Sequence, residues 1–264
     1  MGRWLILAAA LMATPATAQE NALQPSPTWE DLRGAVLDMD ADPPIDAGVL
    51  DLEAPVRAHD AAIVPIRLTQ PAGAPAIESL TLVIDENPAP VAAEYGFGAA
   101  LMPLDFEVRV RVDSYSDVRA IATGADGAPV MAGRFVKAAG GCSAPAGKDM
   151  AAVEATMGQM RWRSEAQQDA AIGTLMIRHP NFSGLQRDQV SLLTIPAHFI
   201  DRLEVRQGAD LLFTMSAGIS VSEDPVFRFR YVPNGEDIHV EVEDTEGGRW
   251  SRTFAAEGGE GIKS

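Results

Sequence analysis

One cysteine, Cys142, stands in 264 residues, so the chain can form no internal disulfide. In an oxidising compartment an odd thiol points to an intermolecular bond or a reactive group. Histidine is also scarce. His59, His179, His198 and His239 lie far apart, with no H-x-x-x-H or C-x-x-C spacing, and give a zinc site no sequence support. A P-loop, a dinucleotide fingerprint and a G-x-S-x-G nucleophile elbow are all missing, so no autonomous active site is visible. Positive charge is in short supply: 21 Lys and Arg face 37 Asp and Glu, a formal net charge of −16. Such a surface repels phosphate backbones, which removes nucleic acid from the expected partners. The apolar run from Trp4 to Ala13 is too short to cross a bilayer, and no later run approaches the required length. No cysteine follows that run, so no lipid or membrane anchor is expected.

The N-terminal stretch MGRWLILAAALMATPATAQE has the layout of an export signal: Arg3, an apolar run, then the small residues Ala16-Thr17-Ala18. Residues 1–18 are read as a signal peptide cleaved before Gln19. Residues 19–48 read as a short helix and an acidic linker. Ser26-Pro27 starts the helix, with Trp29, Leu32, Ala35 and Val36 on its apolar side. The linker DMDADPPID fails as a calcium loop, because Pro43 stands where the turn glycine belongs and Val49 where the closing glutamate belongs.

From Val49 onward the pattern is β. In LDFEVRVRV, Phe106, Val108, Val110 and Val112 alternate with Glu107, Arg109 and Arg111, which predicts a strand with one buried face and its arginines outward. AAIVPIRL, IESLTLVID, DVRAIAT and PVMAGRFVK are also strand-like, with Asp126-Gly127 among the turn signals between them. After Lys137 come the glycines, and then GKDMAAVEATMGQM, where Met150, Val153, Met157 and Met160 recur at helical spacing. A second β region follows. Phe227, Phe229 and Tyr231 alternate in one run and Ile238, Val240 and Val242 in the next, with Asn234-Gly235 as the turn between them. The chain therefore reads as all-β: two β-sandwich domains, 49–137 and 159–256, joined by a flexible Gly/Pro-containing segment with a short helix over 138–158, and ending in a frayed tail over 257–264.

Cys142 falls in VKAAGGCSAPAGK, after Gly140-Gly141 and before Ser143-Ala144-Pro145. No apolar periodicity surrounds it, so an exposed thiol is expected. Extended at about 3.3 Å per residue, the arm from Ala138 to Cys142 reaches roughly 17 Å. A glycine hinge (Gly140 and Gly141), small flanks and one thiol suit a covalent shuttle, with Lys148 able to stabilise a thiolate if the loop folds back. An inert linker cysteine, a cross-linked dimer, and a Cys–His pair with His179 or His198 are the other readings open to the sequence. Asn181-Phe182-Ser183 also matches a glycosylation triplet.

These residues resemble a known family, the SoxYZ sulfur carrier, in fused form. VLDLEAPVRAHDAAIVPIRL, IDENPAP and the strand leading into VKAAGGC look like SoxY. TLMIRHPNFSGLQRDQVSLLTIPAHFIDRLEV and ISVSEDPVFRFRYV look like SoxZ. The order is similar to SoxYZ-like carriers associated with quinoprotein (PQQ-dependent) dehydrogenases. The resemblance implies immunoglobulin-like sandwiches, a periplasmic protein without cofactor or metal, and a carrier rather than an enzyme. Cys142 would hold a sulfur or other thiol-reactive intermediate for partner redox enzymes, such as a PQQ-dependent dehydrogenase or a cytochrome c. An adaptor that binds those enzymes without carrying a group is the alternative. His179-Pro180 and His198 belong to the SoxZ-like pattern, either as an arm- or partner-facing loop or as residues that only shape that loop. The chain departs from SoxY in placing Ser143-Ala144-Pro145 where that protein ends in glycines, and in having one arginine in its signal instead of a pair.

Overall fold

In a computed structural model the described residues are 21–35, 37–144, 150–189 and 191–256. The signal segment, Val36, Lys148 and the tail lie outside them. The first half supplies β1 (Asp51–Glu53), β2 (Val64–Thr69), β3 (Ile77–Ile84), β4 (Val91–Phe97), β5 (Asp105–Val110), β6 (Ser116–Gly124) and β7 (Pro129–Val136). The second half supplies β8 (Met160–Ala166), β9 (Ala171–Ile177), β10 (Ile200–Gln207), β11 (Asp210–Ala217), β12 (Val226–Tyr231), β13 (Ile238–Asp244) and β14 (Arg249–Phe254). Helix α1 (Pro27–Ala35) precedes them and α2 (Met150–Thr156) separates the halves.

Each half is an immunoglobulin-like sandwich of seven strands, three on one sheet and four on the other. The halves repeat one another strand for strand. One sheet runs β1-β2-β5-β12-β9-β8, and the other β14-β13-β10-β11-β4-β3-β6-β7. Equivalent strands therefore meet at the junction, as they do across a two-fold dimer interface. β4 pairs with β11 from Phe213↔Phe97 to Ala217↔Ala93, and β5 with β12 at Phe229↔Phe106 and Arg228↔Glu107. The sequence pointed to a tether over 138–158; the sheets themselves also join the two sandwiches.

Aromatics make up only 6% of the chain, yet they gather at this junction. Phe106 lies 5.2 Å from both Tyr95 and Phe213 and 6.2 Å from Phe229, while Phe213 and Phe229 are 5.2 Å apart. All are buried in one core that continues through both halves. Edge-to-face ring contacts of this kind add about 0.5–1.5 kcal/mol each beyond the area they bury.

The N-terminal segment lies on the outside of the eight-stranded sheet. Trp29 packs with Val83, Ile121 and Met131, its ring 4.4 Å from the Arg119 guanidinium, which also pairs with buried Asp85 and Asp117. The acidic linker is held down as well: Pro44 O accepts from Met131 N, and Ile45 bridges to Met131. Asp126-Gly127 turns the β6–β7 hairpin as expected. Asn234-Gly235 instead joins two sheets, because β12 pairs with β5 and β9 while β13 pairs with β10 and β14. The helical spacing seen through Met160 ends at Thr156, and Met160 opens β8.

Candidate functional site

After β7 the chain crosses to the end of β5. Gly140 N donates to Asp113 O at 2.7 Å and Gly141 N to Val112 O at 3.1 Å. Gly140 has φ +76°, a conformation that favours glycine. Gly141 is fixed for a different reason. A Cβ there would lie 2.1 Å from Ala61 O and 2.6 Å from Val112 O, so only glycine lets the two backbones approach. The pair read as a hinge thus forms a seat in this conformation.

Cys142 comes next, and its exposure is 0%, contrary to the open thiol that its flanks suggested. The reason is non-local: a loop of the second half closes over the turn. Cys142 N donates to Asp113 Oδ1 at 3.2 Å, and the Ser183 hydroxyl donates to Cys142 O in a short bond. The Gln186 amide donates to Ala144 O at 2.9 Å, and its Oε1 accepts from Ser183 N. The bonds that reach the arm all engage its backbone, and among the described residues none takes the sulfur. Burial pushes the thiol from 9.0 up to about 11, helped by Asp113 and opposed by Arg111.

Arg111 is the residue that the alternating pattern misplaced. It was expected outward on β5, but it is 1% exposed. Strand β5 stops at Val110, and beyond that point Arg111 N donates to Ser220 O and the loop carrying Asn181 lies against the side chain. The guanidinium donates to Gly141 O and Asn181 O, both at 3.3 Å, and among the described residues its Nε has no partner. Burial lowers its pKa, against the pull of Glu223, Cys142 and Asp60.

The covering loop is itself held in place. The Asn181 amide donates to Ser222 O at 2.8 Å, and its Oδ1 accepts from Ile200 N at 3.0 Å. With an exposure of 0%, this asparagine is closed to glycosylation, which corrects the triplet reading. Phe182 and His198 exchange backbone bonds of 2.7 and 3.0 Å.

Two histidines widely separated in sequence meet behind the loop. His179 and His198 have ring centroids 4.9 Å apart, with Nε2 atoms 3.3 and 2.6 Å from Asp244 Oδ2. Asp244 Oδ1 is held by Glu246 N and Gly248 N at 3.0 and 2.7 Å. Burial disfavours ionised Asp244, but His198, Gly248 N–H and His179 outweigh it and lower the carboxyl pKa. Asn181 N donates to His179 Nδ1 at 3.1 Å, so that nitrogen holds a lone pair and the proton of the neutral ring sits on Nε2, facing Asp244. Metal-binding histidine normally donates from its second nitrogen; here that nitrogen accepts, which suits a hydrogen-bonded His–Asp–His node better than ligation. Both imidazoles turn Nε2 to Asp244, and among the described residues no hydrogen bond joins either ring to Cys142. Pro180, buried beside His179, lines with it a cavity of about 540 Å³ that also touches Val153, Met160 and Met176.

Sequence reasoning missed Arg111, Asp113, Ser183, Gln186 and Asp244. Of these only Ser183 and Gln186 carried a signal, as polar residues within the NFSGLQ block after His179-Pro180.

A search of the curated proteins found no match. Comparison with protein-family models finds the sulfur oxidation protein SoxY over residues 37–142, ending on the cysteine itself, and the sulphur oxidation protein SoxZ over residues 160–255. These two domains support a carrier-type role in sulfur oxidation, in which such proteins work with partner redox enzymes and are not themselves the catalysts. The boundary between the two matches coincides with the arm and α2, and the junction of the sheets is the contact between a SoxY and a SoxZ domain. The chain is therefore a SoxY domain followed by a SoxZ domain in tandem, a fused SoxYZ-like protein.

Proposed function

We propose that this protein is a periplasmic carrier that holds a sulfur, or other thiol-reactive, intermediate on Cys142 and presents it to partner redox enzymes. A quinoprotein dehydrogenase or a cytochrome c is the expected kind of partner, by resemblance to the fused carriers. The observation that carries the reading is the seat. The one thiol is held at the SoxY–SoxZ junction by bonds to its backbone alone, which leaves the sulfur chemically uncommitted. Seated and protonated, it is protected; unseated, it ionises more readily and becomes the nucleophile. Loading then needs no external oxidant when the donor contains a sulfur–sulfur bond. The thiolate attacks one sulfur, a new S–S bond forms at Cys142, and the displaced sulfur leaves with the electron pair. Gly140 and Gly141 act as the hinge of this exchange. His179, Pro180 and His198 serve it indirectly, by fixing the loop that carries Ser183. Exposed Leu185 and Leu192 lie beside Ser143, on the face a partner enzyme would approach.

Complementation tests the reading. In a strain lacking its own copy, Cys142→Ser should fold and reach wild-type levels yet fail to restore the oxidation that the wild-type gene restores. Full restoration by Cys142→Ser would make the protein an adaptor for those enzymes.

A further inference from the structure

The two ring nitrogens of buried His179 have different tasks. Nε2 faces Asp244 Oδ2 at 3.3 Å, and Nδ1 accepts from Asn181 N at 3.1 Å. Asn181 has φ +42°, in the left-handed region, so its backbone holds that shape only with support from its surroundings. Four bonds supply it: Nδ2 to Ser222 O, Oδ1 from Ile200 N, O from Arg111, and N–H to the imidazole. Two residues on, Ser183 donates to Cys142 O, and Gln186 then donates to Ala144 O. One short loop therefore links a titratable ring to the backbone of the thiol arm.

An imidazolium carries a proton on both nitrogens and accepts no hydrogen bond. In a charged His179, Nδ1–H would meet Asn181 N–H, donor against donor. The buried amide would lose its acceptor, and an unsatisfied buried donor drives the loop away. Asp244 favours the charged ring, and it is shared with His198 at 2.6 Å, whose other nitrogen lies 4.0 Å from Glu246. Asp224 accepts from His179 N and pairs with Arg178, while Arg161 lines the cavity that the ring borders. Burial is the largest influence on the ring and, with His198, holds it below 6.5 against the pull of Asp244.

We propose that the loop from His179 to Gln186 is an acid-released latch on the arm: proton uptake by His179 removes the acceptor of Asn181 N–H, the loop withdraws Ser183 and Gln186, and Cys142 leaves its seat. The inference rests on the reading of Cys142 as the carrier thiol and adds what regulates its release. The closed ring binds a proton more weakly than the ring of the opened loop. Closure is therefore complete above pH 6.5 and is lost as pH falls through and below that value, by at most about tenfold per pH unit.

The reagent 2,2′-dithiodipyridine reads the position of the arm. The Cys142 thiolate attacks one sulfur, a new S–S bond forms, and pyridine-2-thione leaves with the electron pair and is followed by its absorbance. At each pH the rate of the folded protein is divided by that of the same protein in urea, which cancels ionisation of the thiol and of the reagent. For the wild type this ratio should rise by about fivefold or more as pH falls from about 7.5 to about 5.5. In His179→Gln it should stay flat, because the amide accepts from Asn181 N and donates to Asp244 without titrating. A flat wild-type ratio overturns the latch and leaves the carrier reading, which complementation by Cys142→Ser tests separately. A rise that persists in His179→Gln overturns the latch as well, by assigning the proton to another group. Should His179→Gln not fold, the wild type decides: the His179 ring, titrated by NMR, must share its midpoint with the rise, and a ring that stays neutral through it refutes the inference.

Discussion

Replacing Gly141 by alanine isolates the seat from the rest of the fold. The new methyl group would lie 2.1 Å from Ala61 O and 2.6 Å from Val112 O, and both atoms belong to the backbone, so neither can swing aside. The turn must lift. With it go six hydrogen bonds: Gly140 N–Asp113 O, Gly141 N–Val112 O, Cys142 N–Asp113 Oδ1, Ser183 Oγ–Cys142 O, Gln186 Nε2–Ala144 O and Arg111–Gly141 O. At about 0.5–1.5 kcal/mol net for each bond, against about 1–2 kcal/mol per residue for ordering the backbone, the seat lies within a few kcal/mol of balance. The arm is therefore held reversibly, and one clash is enough to free it. The thiol then moves from about 11 toward its ordinary 9.0. At about pH 8 the ionised fraction rises from about one in a thousand to about one in ten, so alkylation should quicken by about 90-fold from titration alone. Iodoacetamide labelling followed by intact mass measures this, with circular dichroism as the check that the sheets persist. A Gly141→Ala protein labelled at the wild-type rate would refute the seat, as would a wild-type thiol that labels as fast in buffer as in denaturant.

Other perturbations follow from the same contacts. Ser183→Ala removes a single bond to the arm, about 0.5–1.5 kcal/mol, so labelling of Cys142 should rise by roughly 2- to 10-fold; an unchanged rate would mean that Ser183 does not hold the arm. Phe106→Ala empties the ring cluster shared by the halves and should cost about 3–5 kcal/mol in urea unfolding, with loss of less than about 1 kcal/mol arguing against a shared core. Burial lowers the pKa of His179 below 6.5, so the unfolded chain takes up the proton first: the stability it contributes is complete above pH 6.5 and is lost as pH falls through and below that value. Wild-type melting temperature should accordingly fall more steeply than that of His179→Gln between pH 6.5 and pH 5, and parallel curves would contradict a buried neutral imidazole.

The β architecture was legible because alternation is a local property: Phe106, Val108 and Val110 read as a buried face and are one. The same pattern failed one step later at Arg111, where pairing ends and a loop from the second half, some seventy residues on (|i−j| = 70 to Asn181), closes over the chain. Gly140-Gly141 looked mobile for a related reason. Glycine marks both a free backbone and one pressed against another backbone, and only the position of Ala61 distinguishes them. His179 and His198 carried no spacing signal because their partner Asp244 arrives through the β10–β13 pairing, opposite Ile200. The flanking sequence of Cys142 gave its chemistry but not its burial, since Asp113, Ser183 and Gln186 reach it from elsewhere in the fold.

Intact mass and peptide mapping of the protein, purified without reductant from cells in which its partner enzymes are working, test the carrier claim most directly. The account predicts a reducible adduct on Cys142 whose mass corresponds to a sulfur group. A bare thiol throughout the preparation would contradict it.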